Sequence, residues 1–331
     1  MNGSGEWFER PPILSGEWGE GGLDYGLTLN GGRLEWSRDG NDQPALTSPS
    51  PLDDSWHVVA IRRDKNAMTK MYIDGVEVAS GTVPNESYES MIARLGRHPA
   101  PQNDTGRWQG DLAEVLLYNT LVSIDVLQRL NTYLAIKYGL TQSFDYKDRV
   151  TTFYDVSSHE QDIFGIACNA LTMPLRQSTS RSKDGLWELR AGTVYSGVSS
   201  CPTSPSRFSA LMGHDGGALD EASMDSVRWE ARDIDVSVLE REWKLMMTLA
   251  PDASNMASMT FSLKQNTFAL DGGEMFVPEF VVVSQGSDAW LFPLQPIPGG
   301  AVLSVVDFSR FEPDGLDFRA PIYLKLGRFS E

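Results

Sequence analysis

With 331 residues, 41% of them hydrophobic and 22% charged, the chain has the composition of a folded protein and room for two ordinary domains, each with its own core. Its 28 basic against 45 acidic residues give a net charge of −17, a field that repels nucleic-acid phosphates and anionic membrane surfaces. No dense basic run compensates, so nucleic acid is excluded as a partner.

The opening MNGSGEWFERPPIL has no basic n-region and no apolar h-region, so it does not read as a signal peptide. No run approaches the roughly 18 apolar residues that span a bilayer, and no membrane insertion is expected. Cys168 and Cys201 are the two cysteines. Without a CxxC or a Cys/His cluster around them, a disulfide and two separate thiols both remain open.

Through the first 120 positions, turn residues are dense and short β-like runs lie between them: Tyr25–Leu29, Arg33–Ser37, Trp56–Arg62, Met71–Ile73, Ala93–Leu95 and Leu112–Tyr118. In the stretch Trp56–Gly81, Asp74-Gly75 supplies the two positive-φ residues of a tight hairpin, so Val76–Ala79 folds straight back on Met71–Ile73 across a meander. The charged segment Arg63–Lys70 reads as the preceding loop. Strands of this length and spacing predict an antiparallel sandwich.

A helix follows. Ser123 is placed as N-cap, Asp125 lies in the first turn, and Val126, Leu127, Leu130, Tyr133, Leu134 and Tyr138 recur at three- and four-residue spacing. Lys137 and then Gly139 close it, which predicts an amphipathic helix over about 123–138.

The Trp56-His57 strand, the Tyr72-Ile73-Asp74-Gly75 hairpin, the set Gly110, Ala113, Glu114, Val115 and Tyr118, and the run Tyr133–Gly139 together resemble the second half of a concanavalin A-like (laminin-G-like) jelly roll of bacterial surface proteins. The resemblance implies a domain at 1–140, with the N-terminal strands shortened or missing. From Thr141 the pieces Asp162–Asn169, Leu186–Gly192, Phe208–Leu219, Leu239–Leu249, Met259–Leu263, Phe280–Gln285 and Ile322–Arg328 are similar to a poorly characterised β-sandwich module of large exported bacterial proteins. That implies a second domain at 141–331. The expected fold class is therefore mostly β: two antiparallel sandwiches and one helix. The location it implies is extracellular or at the cell surface.

Chemistry is sparse. A glycan-cleaving site needs two carboxylates across a groove, but E-x-D-x-x-E spacing is absent and Asp233–Glu242 reads as an exposed turn and strand. Glu114 reads as a structural carboxylate. His57, His98, His159 and His214 show no metal spacing and no partner motif for a nucleophile, and the glycine clusters around Gly216 and Gly272 are turns. Binding fits better. The loop Arg97–Trp108 offers Asn103, Asp104, Arg107 and Trp108, and the loop Ser37–Gln43 offers Asp39, Asn41 and Asp42 behind Trp36, groups that suit sugar hydroxyls, an aromatic platform or calcium. The same Asp, Asn and Gly residues also make ordinary turns. The expectation is a non-enzymatic binding or adhesion module for a glycan or surface protein, with Ca²⁺ as the one conceivable cofactor. The alternative is a structural subunit of an appendage or virion that binds sister chains through an open sheet edge.

Overall fold

The computed structural model describes residues 11–16, 25–38, 44–83, 94–97, 107–142, 145–147, 152–168, 176–191, 208–229, 232–249, 259–264, 268–270, 273–297, 300–305 and 320–329. They form two compact units, Met1–Leu127 and Gln128–Glu331. The architecture is mostly β with one helix, as expected.

In the first unit the strand Leu46–Thr47 borders Arg33–Arg38, followed by Tyr25–Asn30, Pro12–Gly16 and Arg94–Leu95 in a five-stranded sheet. A second sheet runs Val59–Arg63, Met68–Ile73, Val76–Thr82. Leu27, Leu34 and Leu46 of one sheet and Met71 of the other share a core, joined by Leu29, Trp36, Ile61 and Val78. The Asp-Gly hairpin forms as read, with φ of 49° at Asp74 and 80° at Gly75. Its loop does more than turn. Asp74 Oδ1 accepts the Val58 amide at 2.9 Å, and Asp74 Oδ2 lies 2.7 Å from His57 Nδ1.

Two expectations need correction. The strand predicted from Trp56 begins only at Val59, because the Asp74 side chain takes the Val58 amide in place of a ladder partner. The loop predicted over Arg63–Lys70 contracts to a turn at Asp64–Ala67, where Ala67 adopts a φ of 69°. A larger departure is Leu112–Tyr118, predicted as a strand: it runs without ladder pairing and leaves Leu112, Val115, Leu116, Leu117 and Tyr118 exposed. Its apolar sequence favours a strand, but strand conformation needs a neighbour to bond.

The helix Ile124–Tyr138 begins and ends as the sequence reads. The Ser123 hydroxyl accepts the Val126 amide, and Gly139 at φ 65° lets the Leu140 amide reach the Ala135 carbonyl in a Schellman closure. The division between units falls inside this helix, and its body packs in the second unit. Ala135 and Ile136 lie against Tyr146, Phe153, Tyr154, Ile163, Ala167 and Leu211.

The second unit is a sandwich. One sheet runs Arg176–Gln177, Gln161–Cys168, Phe208–His214, Trp243–Leu249, Ile322–Phe329, Arg232–Leu239, Glu221–Trp229, Asp288–Pro293, Phe280–Gln285, and the last strand also pairs with Ile322–Phe329. That extra pairing closes five strands into a ring around Val227, Val236, Val238, Phe280, Val282 and Leu291. The other sheet runs Thr179–Arg181, Trp187–Ala191, Met259–Leu263, Gly300–Val305, Gln295–Ile297. Alternation sends Trp187, Leu189, Phe261 and Leu263 inward onto Phe164, Ile166, Met212, Trp243 and Leu324. Helix residues cover the opposite face of the first sheet at Ile163 and Leu211.

Candidate functional site

A β-strand places successive side chains on opposite faces, and the five-stranded sheet of the first unit uses this to keep two chemistries apart. Tyr25, Leu27 and Leu29 pair across with Arg38, Trp36 and Leu34 on the core side. The other face carries Gly26, Thr28 and Asn30 against Ser37, Glu35 and Arg33, extended by Ser15 beside Gly26 and Thr47 beside Glu35. No apolar side chain from these two central strands enters that face.

Ser15, Thr28, Glu35 and Ser37 are nevertheless buried. Asn30 Nδ2 donates to Glu35 Oε1 at 3.2 Å, and the Ser15 hydroxyl donates to the Arg97 carbonyl at 2.9 Å. The hydroxyls of Thr28 and Ser37, each only 1% exposed, have no partner among the described residues. Buried hydroxyls are normally hydrogen-bonded, and two orphans on one polar face call for a cause.

The loop singled out in the sequence starts at the edge of this face. The Gly96 amide donates to the Ile13 carbonyl, the Trp108 amide donates to the Gly96 carbonyl, and Arg97 bridges Arg107. Arg107 is exposed and Trp108 half-buried, its indole lying over Gly110, where a Cβ would meet the ring at 2.7 Å. Trp36 sits elsewhere. It faces the apolar core, 6.0 Å from the Tyr25 ring, with a buried indole nitrogen that has no partner among the described residues. Asn103, Asp104, Asp39, Asn41 and Asp42 lie outside the described residues, as do His98 and Cys201. The sequence reading missed the polar face, although its signal is present: Gly-x-Thr-x-Asn in one strand and Arg-x-Glu-x-Ser in the next alternate with apolar residues at period two.

One end of the second unit gathers titratable groups that no sequence spacing announces. Asp162, Asp184 and His214 bring one ligand-type atom each within 4.8 Å of the others. The hydrogen bonds show what they do. Asp162 accepts the amides of Lys183 at 2.5 Å and Asp184 at 3.0 Å, and Asp184 Oδ1 accepts the Ser182 hydroxyl and the Leu186 amide. The Gly216 amide donates to His214 Nδ1 at 2.9 Å, so in the neutral ring Nε2 carries the proton and lacks the lone pair a metal requires. Burial pushes the Asp162 carboxyl up, with the two amides opposing, and burial followed by the Arg241 guanidinium pushes His214 down. The trio locks a turn.

Beside it, Ser158 Oγ lies 2.8 Å from His159 Nδ1, and His159 Nε2 lies 3.2 Å from Glu242 Oε1. The order resembles a nucleophile relay, but the His159 ring is buried against Tyr323 and its carbonyl accepts the Tyr154 hydroxyl. The Lys244 ammonium, also buried, bonds the Asp155 carbonyl at 2.6 Å and carboxylate at 3.2 Å and sits 4.7 Å from the Tyr154 ring centre. These contacts tie the 155–160 loop to the sheet.

Residues 4–125 match a family model described as the concanavalin A-like lectin/glucanases superfamily. Residues 126–289 match a domain of unknown function, DUF8202. Comparison with curated proteins gives no match. The concanavalin A-like resemblance therefore holds over residues 4–125, which include Gly110–Tyr118, and the first unit has a carbohydrate- or protein-binding fold, whereas Tyr133–Gly139 falls within the second match. Among the described residues no helix is long and apolar enough to cross a membrane.

Proposed function

We propose that this chain, a concanavalin A-like domain followed by a second β-sandwich, is a non-catalytic binding module of a bacterial surface protein and recognises a glycan through its first unit. The observation that carries the reading is the pair of unsatisfied hydroxyls, Thr28 and Ser37, on a polar sheet face beside Glu35. Both hydroxyls are closed off, so a saccharide, which offers donors and acceptors in close rows, must displace their cover to exchange bonds with them. Arg107 and Trp108, at the edge next to Ser15, add a cation and an apolar ring surface. Asn103, Asp104, Asp39, Asn41 and Asp42 are kept as rim groups for sugar hydroxyls or for calcium. A non-catalytic role is favoured because hydrolysis demands paired carboxyl groups about 5–10 Å apart, and Glu35 is the one acid on this face among the described residues.

A glycan array, run with and without EDTA, tests the reading. Binding that Thr28→Val and Ser37→Ala abolish together supports it, and loss of binding in EDTA assigns calcium a part. An array with no binder in either condition would remove it, and turnover of a labelled polysaccharide would replace it with an enzyme.

The exposed run from Leu112 to Ile124 favours a second reading, a structural subunit that binds a sister chain. Leu112, Val115, Leu116, Leu117, Tyr118, Leu121 and Ile124 are all more than a third exposed, and Leu117 reaches 70%. An apolar segment without ladder pairing suits a strand added from another copy. Light scattering at micromolar concentration would report a dimer that Leu117→Lys dissolves; a monomer would count against it.

A further inference from the structure

On the face of the smaller second-unit sheet that turns away from the core, three cations surround one carboxylate. Pairing sets Arg181 and Ser262 opposite Glu188, and Thr179 and Thr260 opposite Arg190. Arg181 Nη2 reaches Glu188 Oε2 at 2.9 Å, Lys264 Nζ reaches the same oxygen at 3.1 Å, and Arg190 Nε bonds Oε1. The Glu188 side chain is 4% exposed, whereas those of Arg181, Arg190 and Lys264 are 59%, 42% and 32% exposed. The carboxylate is the floor and the cations are the rim.

Neutralising a buried carboxylate takes one cation with good geometry. Three leave a local surplus of two positive charges in a chain whose net charge is −17. Their donors are also unspent. Among the described residues Arg190 is engaged through Nε alone, which leaves both terminal nitrogens, and Arg181 and Lys264 each commit a single nitrogen contact. Guanidinium groups held by one edge present the fork that matches a planar or tetrahedral oxyanion. A polyanion is a poor fit, because the acidic body repels it and only three heads meet here.

We propose that Arg181, Arg190 and Lys264, set over Glu188, form a binding site for a single oxyanion group, a carboxylate, sulfate or phosphate on a small ligand. Glu188 holds the three heads at a fixed spacing and competes with the ligand for them. The site belongs to the second unit and is independent of the glycan reading of the first.

The test titrates the full chain, at low ionic strength, with sodium sulfate, sodium phosphate and sodium glucuronate, following backbone amide shifts. Saturable shifts at Arg181, Glu188–Arg190 and Lys264 are expected with at least one probe. Glucuronate alone would identify a carboxylated sugar, and sulfate or phosphate alone an ester or inorganic ion. Arg190→Gln should weaken binding about tenfold, the worth of one charge-assisted bond. Glu188→Gln, which removes the internal competitor, should tighten it several-fold. Should Glu188→Gln fail to fold, the exposed Arg181→Gln gives a second loss-of-affinity variant. Linear, unsaturable shifts with all three probes would overturn the proposal, as would affinity unchanged in Arg190→Gln.

Discussion

The Thr28 hydroxyl is the sharpest test of how the first unit is built. It is sealed from solvent and, among the described residues, finds no acceptor or donor. Burying a hydroxyl without a compensating bond costs about 1–3 kcal/mol by protein mutational data. Valine has nearly the same shape, suits a strand, and replaces that hydroxyl with a methyl. Thr28→Val is therefore expected to stabilise the first unit by about 1–2 kcal/mol while reducing glycan binding. Urea unfolding at neutral pH, with hydrogen exchange of residues 25–38 to assign the transition, measures the first effect; the array measures the second. Stability and binding moving in opposite directions is the signature of a group kept for a ligand. A loss of more than about 0.5 kcal/mol would mean that Thr28 has a partner in solution, and the reasoning would fail.

Other expectations follow from the same kind of argument. Ile136→Ala removes three buried carbons from the helix interface and should cost about 2–5 kcal/mol, with exchange protection lost at Gln161–Cys168 and Phe208–His214; loss confined to residues 25–38 would contradict the packing. Gly139→Ala forces a Cβ into the left-handed region and should cost about 1–2 kcal/mol in the same unfolding assay. Asp74→Ala removes the acceptor of the Val58 amide and the His57 partner, and should raise amide exchange across Val59–Thr82. For Glu188, burial acts upward, but the Arg181, Arg190 and Lys264 contacts outweigh it and hold the carboxyl below its ordinary 4.5. A depressed carboxylate contributes stability above its unfolded pKa and loses it as pH falls through the folded value. Melting temperature should therefore drop below about pH 4.5, less steeply in Glu188→Gln.

How much the sequence disclosed depended on range. Met259–Leu263 and Phe280–Gln285, named through their resemblance to a β-sandwich module, form strands with those same bounds, because each lies against a core. The Asp-Gly hairpin and the helix closure were legible since turn and cap chemistry act within a few residues. Leu112–Tyr118 was misread because its β-favouring side chains say nothing about whether a neighbouring strand is present. Trp36 looked like a platform, but its parity with Leu34 puts it on the core face. The clusters at Glu188 and at Asp162 join residues from three or more separate segments, and their assembly depends on sheet register, which no local pattern encodes.

The central claim is that the polar face of the first unit's sheet contacts the glycan. Amide and side-chain NMR mapping with the best array ligand tests it most directly. The account predicts shifts concentrated at Gly26–Thr28, Glu35–Ser37 and Arg107–Trp108. Shifts found only in the second unit, or only along Leu112–Ile124, would contradict it.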